Sequence, residues 1–251
     1  LIDFIKIDVN DARPDHRWRK GDIQMKNGLE DVVAAETQLS DVNGEAGQLV
    51  IRGVSLDRLV EYARYEDIAL LLLDGLLEER LDRDSLCLRL GQMRKEVFSQ
   101  IGAIDDKLLQ LPPVDIMRAL IARLADGDDL DTALRLLAAP AVFLPAILRL
   151  KRGETPVAPT PSLSQSADIL TMLSATVPGA AQVAALDTYL VTISDHGLNA
   201  STFASRVIAS TKAGLTSSVV AALSALKGPL HGGAPGPVLD MLDAVGTKDN
   251  A

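Results

Sequence analysis

The chain has 251 residues and a formal net charge of −9, so nucleic acid is repelled at long range unless basic residues gather into a patch. It is 47% hydrophobic but only 3% aromatic, a Leu- and Ala-rich balance that favours helix packed on helix over a β-sandwich and predicts an all-α protein. The single cysteine, Cys87, excludes an intrachain disulfide.

Residues 1–27 show little helical periodicity and read as an N-terminal extension, with 28–251 forming one helical domain. The extension holds the one basic cluster, Arg13, Arg17, Arg19 and Lys20, interleaved with His16 and Trp18. It is short and lacks a recognition helix, so a solvated segment is favoured over a DNA-binding one. Asp3, Lys6 and Asp8 at the start do not fit a signal peptide. The longest apolar runs, 68–73 and 217–226, fall short of the roughly 20 residues a membrane helix needs. The expectation is a cytoplasmic protein with no membrane and no nucleic-acid partner.

From residue 37 to 53, apolar and polar residues alternate about Asn43-Gly44, a turn-forming pair, and predict a small β-hairpin. Ser55 is placed to cap a helix carrying Leu56, Leu59, Val60 and Ala63. Residues 66–77 read as a second helix, apolar nearly all round and therefore buried. Longer helices are predicted over 83–102, 114–125 and 131–137, with Pro140 and Pro145 marking a break or kink before a helix that ends near Arg152. Cys87 lies in the first of these and reads as buried packing, not as a nucleophile. Residues 153–161, with Pro156, Pro159 and Pro161, form an extended connector inside the domain.

Helices then follow over 178–193, 199–212, 215–226 and 237–245. Small residues recur in the middle pair, among them Ala200, Ala204, Ala209, Ala221 and Ala222. They let helix axes approach closely, within the fold or at a dimer contact.

Two segments of this C-terminal third carry chemistry. His231 lies in Gly228-Pro229-Leu230-His231-Gly232-Gly233, a backbone able to admit a ligand closely, just ahead of a helix. The positive field there keeps a neutral ring available as a hydrogen-bond donor, as an enolate requires; an ordinary loop histidine is the plain alternative. His196 follows Asp195 and is predicted to end a helix at Gly197, where the field favours a protonated ring suited to a dicarboxylate, with Asn199 and Ser201 in reach. A capping role is its plain alternative. Metal ligation and hydrolysis are disfavoured: there are three histidines, no His-Glu-x-x-His helix, no paired cysteines, no Gly-x-Ser-x-Gly turn and no phosphate-binding glycine loop.

The stretches Ser194-Asp195-His196-Gly197-Leu198-Asn199-Ala200-Ser201-Thr202-Phe203 and Ala225-Leu226-Lys227-Gly228-Pro229-Leu230-His231-Gly232-Gly233-Ala234 resemble the two histidine motifs in the large domain of citrate synthases. The likeness begins at Gly28-Leu29-Glu30-Asp31-Val32-Val33-Ala34-Ala35-Glu36-Thr37 and includes Leu39 to Gly47 with Ile51-Arg52-Gly53, similar to the short hairpin near the start of that family. The resemblance implies a multi-helical large domain with a small N-terminal β-hairpin. It implies an acyltransferase that condenses acetyl-CoA or propionyl-CoA with oxaloacetate, using no permanently bound cofactor and no metal. It also implies a homodimer formed through the helices spanning 199–227.

By the same resemblance His231 donates to the thioester oxygen and His196 binds oxaloacetate, with Asn199, Ser201, Leu230 and Gly232 completing the substrate site. Gly197 and Val54 depart from the Glu and Tyr common in the family at those places. The family's Gly-His-x-Val-Tyr segment, aspartate base and carboxylate-binding arginines have no counterpart here. The chain therefore reads as the large-domain portion of such an enzyme, with a truncated, non-catalytic homologue that dimerises or regulates as the alternative.

Overall fold

The computed structural model describes residues 35–76, 81–229, 231–232 and 235–246; the extension 1–27 with its basic cluster lies outside them. Chain contacts separate residues 1–36 from 37–251, and every element below belongs to the second unit.

Strands β1 (Ser40–Asn43), β2 (Gln48–Ile51) and β3 (Val54–Ser55) form an antiparallel sheet in that order. In the first pair Ser40 lies opposite Ile51 and Asn43 opposite Gln48. The expected turn pair opens the connection, because the Asn43 side chain accepts the Ala46 N–H at 3.0 Å, an Asx turn. The third strand is additional to the expected hairpin: the chain reverses at Arg52-Gly53 and sets Val54 against Ile51.

Helix α1 (Leu56–Tyr62) starts at Ser55, which occupies the cap position but makes no side-chain cap bond. Helix α2 (Tyr65–Leu73) stops four residues before the expected 77 and buries only Glu66, Ile68 and Ala69. Its end is closed from outside, since the Arg52 guanidinium donates to the carbonyls of Leu71 and Asp74 that would otherwise lack partners. Helix α3 (Arg83–Phe98) runs on into a 3-10 turn, Ser99–Ala103, as the 83–102 pattern predicts. The short α4 (Asp106–Leu109) and α5 (Pro113–Ile121) follow. Cys87 is half-buried, and burial pushes its thiol above the usual range, as suits a packing residue.

The largest departure is α6 (Leu130–Lys151), one continuous helix of 22 residues with Pro140 and Pro145 inside it. Each proline removes a backbone bond and costs about 3 kcal/mol in a helix interior, so sequence pattern alone predicts a break. Burial outweighs that cost. Val142, Phe143 and Ile147 are fully buried against Val97 of α3 and Ile116, Leu120 and Ile121 of α5, each such side chain contributing about 1.5–3 kcal/mol. The helix is also long and apolar enough to cross a membrane, unlike the shorter runs read from sequence. Eleven of its residues are nevertheless buried within the fold, as in a core helix.

Helix α7 (Gln165–Ser174) was not predicted; the helices after it, α8 (Ala180–Thr192), α9 (Ala200–Ser210), α10 (Leu215–Leu226) and α11 (Pro235–Val245), match expectation within two residues at each end. Where α3, α6 and α7 meet, Arg94 is fully buried. Its guanidinium donates to Asp168 at 2.6 Å, Gln165 Oε1 at 2.7 Å and the Leu163 carbonyl at 2.7 Å. Arg94→Leu is expected to lower unfolding stability by about 3–5 kcal/mol, because it leaves the Asp168 carboxylate buried without its partner. Adding Asp168→Leu should recover most of the loss in denaturant titrations, and two additive losses would disprove the coupling.

Candidate active site

His196 does not end a helix. Helix α8 closes at Thr192, where the Ser194 amide and hydroxyl both donate to the Val191 carbonyl at 3.3 and 2.8 Å. The chain then makes a separate turn, in which Asp195 Oδ1 accepts the Gly197 N–H at 3.1 Å and Gly197 takes φ +90°, a conformation that favours glycine. Asn199 then caps α9 by accepting the Thr202 N–H at 2.9 Å. His196 thus lies in a turn between α8 and α9, just before the start of α9 as His231 lies before the start of α11, so the expected position at a helix end does not separate the two. Their hydrogen-bond partners distinguish them instead.

Those partners form one chain across the two motifs. The Asn199 amide nitrogen lies 3.3 and 3.4 Å from the two ring nitrogens of His196. Asn199 Oδ1 accepts the Ser201 hydroxyl at 2.7 Å, and Ser201 Oγ lies 3.0 Å from His231 Nε2. Four of the six residues assigned from sequence are therefore brought together, from segments 30 residues apart. The His196 ring is exposed, whereas Asn199, Ser201 and His231 are half-buried.

Two proton arrangements satisfy this chain. In one, Ser201 donates to Asn199 and accepts from His231 Nε2–H. In the other, the Ser201 hydroxyl rotates to donate to Nε2, Asn199 Oδ1 keeps the Thr202 N–H, and His231 carries its proton on Nδ1, pointing a donor elsewhere.

Gly232 contributes through its lack of a side chain. A Cβ there would lie 1.9 Å from the Leu226 carbonyl oxygen, so only glycine lets the loop fold back on the end of α10. The amides of His231 and Gly232 both donate to the Gly228 carbonyl, at 3.0 and 3.1 Å. Leu230, the sixth assigned residue, lies outside the described residues.

The placement of α10, which delivers this loop, depends on residues with no local signal in the sequence. Asp126 caps it from 90 residues away: Oδ1 accepts the Thr216 N–H at 2.8 Å, and Oδ2 accepts the Ser217 N–H at 3.1 Å and hydroxyl at 2.5 Å. At the other end Lys227 Nζ reaches Asp115 of α5 at 2.5 Å.

The family with the description citrate synthase, C-terminal domain, matches residues 28–251. The chain belongs to the citrate synthase family. It is 34% identical to the citrate synthase of Haloferax volcanii over 245 residues, covering 90% of this chain and 63% of that protein. It is 31% identical to the 2-methylcitrate synthase of Mycobacterium tuberculosis, covering 96% of this chain and 61% of that protein. Among solved structures, the Thermotoga maritima citrate synthase superposes with a TM-score of 0.73 at 27% identity, covering 89% of this chain and 62% of that one. A ternary complex of the Thermoplasma acidophilum citrate synthase with oxaloacetate and carboxymethyl coenzyme A superposes with a TM-score of 0.68 at 27% identity, over 86% of this chain and 60% of that one. The chain spans about three-fifths of the length of the relatives it matches.

The Ser217 hydroxyl and the amides of Ser217, Thr216 and Gly127 hold the Asp126 carboxyl below the usual carboxylate range. A lowered folded-state pKa contributes stability that is present above the unfolded value near 3.9 and lost as pH falls through the folded one. Asp126→Ala should destabilise by about 1 kcal/mol at pH 6, the usual loss for a helix N-cap, and the difference from wild type should shrink below about pH 4. Thermal melts across that range would detect it, and a pH-independent difference would count against the cap.

Proposed function

We propose that the protein is a citrate synthase-type acyltransferase that condenses acetyl-CoA or propionyl-CoA with oxaloacetate, giving citrate or 2-methylcitrate. The observation that carries this reading is the hydrogen-bonded chain from His196 through Asn199 and Ser201 to His231, which joins an exposed ring to a half-buried one. Relatives named for both reactions, and a related structure holding oxaloacetate beside a coenzyme A derivative, support it.

In the reaction a carboxylate base takes a proton from the carbon next to the thioester carbonyl. Charge builds on the thioester oxygen, and the His231 Nδ1–H donates to it while Nε2 accepts a hydrogen bond from the Ser201 hydroxyl. The enolate carbon attacks the ketone of oxaloacetate, held by His196, and water then cleaves the thioester to release coenzyme A. Asn199 fixes the His196 ring, and Leu230 and Gly232 flank the donor. The acyl-CoA is a substrate, and no permanently bound cofactor is required.

His231→Ala should lower kcat by about 10²–10³-fold, the usual effect of losing one donor to a developing oxyanion. His196→Ala should instead weaken oxaloacetate binding measured by calorimetry. Steady-state kinetics with both acyl-CoA donors would separate the two products, since one methylene changes pocket affinity by roughly 1–3 kcal/mol. Oxaloacetate binding without turnover would make the protein a non-catalytic homologue, and neither binding nor turnover would overturn the reading.

The protein is further proposed to act as a homodimer through the helices spanning 199–227. Helix α9 buries none of its residues, and Val207 and Leu226 are exposed, apolar surface that a second copy would cover. Sedimentation should give a dimer at micromolar concentration; a monomer would refute it.

A further inference from the structure

The turn that presents His196 is not held by its own helices alone. Ser40, on the edge strand β1, donates its hydroxyl to Asp195 Oδ1 across 155 residues of sequence. The same carboxylate oxygen accepts the Gly197 N–H at 3.1 Å. Two residues along the strand, Val42 Cγ2 lies 3.5 Å from the position a Cβ on Gly197 would occupy. Side chains two apart on a strand share a face. One face of β1 therefore borders both neighbours of His196, Asp195 through a hydrogen bond and Gly197 by proximity.

His196 itself is exposed, so little packing holds its ring. The ring's direction depends on the backbone of residues 195–197 and on the Asn199 amide, and that backbone is fixed at both ends by the carboxylate Ser40 anchors. We infer that Ser40 is a positioning residue for His196, acting through Asp195, and that the N-terminal sheet is a structural support of the oxaloacetate half of the site. This rests on the reading of His196 as the oxaloacetate ligand.

Removing the hydroxyl loosens the turn without touching His231 or its serine. Ser40→Ala is therefore expected to raise the KM and Kd for oxaloacetate about tenfold while kcat stays within about twofold, the pattern of a lost interaction made equally in the ground and transition states. Ser40→Thr, which keeps the hydroxyl and suits a strand, should restore wild-type affinity. In a double-mutant cycle, Ser40→Ala should add nothing to Asp195→Ala. Hydrogen exchange supplies a readout that needs no ligand: the Gly197 amide should exchange about tenfold faster in Ser40→Ala.

Faster exchange at Gly197 with weakened oxaloacetate and rescue by threonine supports the inference. Unchanged Gly197 exchange overturns it whatever the ligand does. So does unchanged affinity in Ser40→Ala when the wild-type protein binds oxaloacetate. Failure of the wild-type protein itself to bind oxaloacetate removes the reading of the site, and the positioning role falls with it.

Discussion

A guanidinium out of reach of water must find its hydrogen bonds within the protein, and Arg94 makes this the constraint on which the rest of the fold depends. It is fully buried, and Asp168, Gln165 and the Leu163 carbonyl meet it. Its partners are committed in turn. The Gln165 amide nitrogen of the side chain donates to the Leu137 carbonyl of α6 at 3.0 Å, and its backbone N–H donates to Glu66 of α2 at 2.7 Å. Four helices thus converge on one charge. Gly91, one turn before Arg94, makes the approach possible, because a Cβ there would lie 2.1 Å from the Pro161 carbonyl oxygen. Burial pushes the Asp168 carboxyl upward, opposed by the Thr160 amide and the Arg94 charge. The arrangement specifies one geometry, since any shift leaves a buried charge exposed to a low-dielectric interior without compensation.

The same polar core reaches the site through α8. Asp187 on that helix accepts the Ser166 hydroxyl at 2.6 Å and the Tyr65 N–H at 3.2 Å, which ties α8 to the starts of α7 and α2. Five residues later α8 ends, and the turn that carries His196 follows. The other histidine is delivered differently, by α10, whose apolar face, including Leu215, Val219 and Leu223, packs on the core around α5 and α6 while Asp126 and Lys227 fix its ends. The two histidines meet because two independently anchored helices end beside α9.

Legibility followed the range of the interactions involved. Helix α10 was read to the residue because its period and its flanking Gly214 and Gly228 are local signals. The sequence pattern predicts a break in α6 at Pro140 because the compensation lies in α3 and α5, which no local window contains. Helix α7 lies outside the predicted elements: its N-cap is Ser164, three residues past the proline-rich connector, and its first turn holds the polar residues Gln165, Ser166 and Asp168, all buried, the first and last bonded to Arg94. No local pattern announces the helix, because the Arg94 that makes Gln165 and Asp168 core lies 71 and 74 residues away. At the site, the residue types and their order were legible, but Ser40 and Asp126 were not, since each acts on a segment 90 or more residues distant.

The polarity of the site is set by a helix cap. Asn199 must point Oδ1 at the Thr202 N–H to begin α9, so its amide nitrogen is left facing His196. Turning the amide over would unpair the Thr202 N–H and set a donor against the Ser201 hydroxyl. With the amide fixed, Asn199 presents its NH2 group to the His196 ring, nearly equidistant from the two ring nitrogens. Ser201, with one proton and two acceptor sites, changes role by rotating its hydroxyl, without breaking a backbone bond. The groups fixed by secondary structure therefore turn the Asn199 amide toward His196, while the rotatable Ser201 hydroxyl lies beside His231.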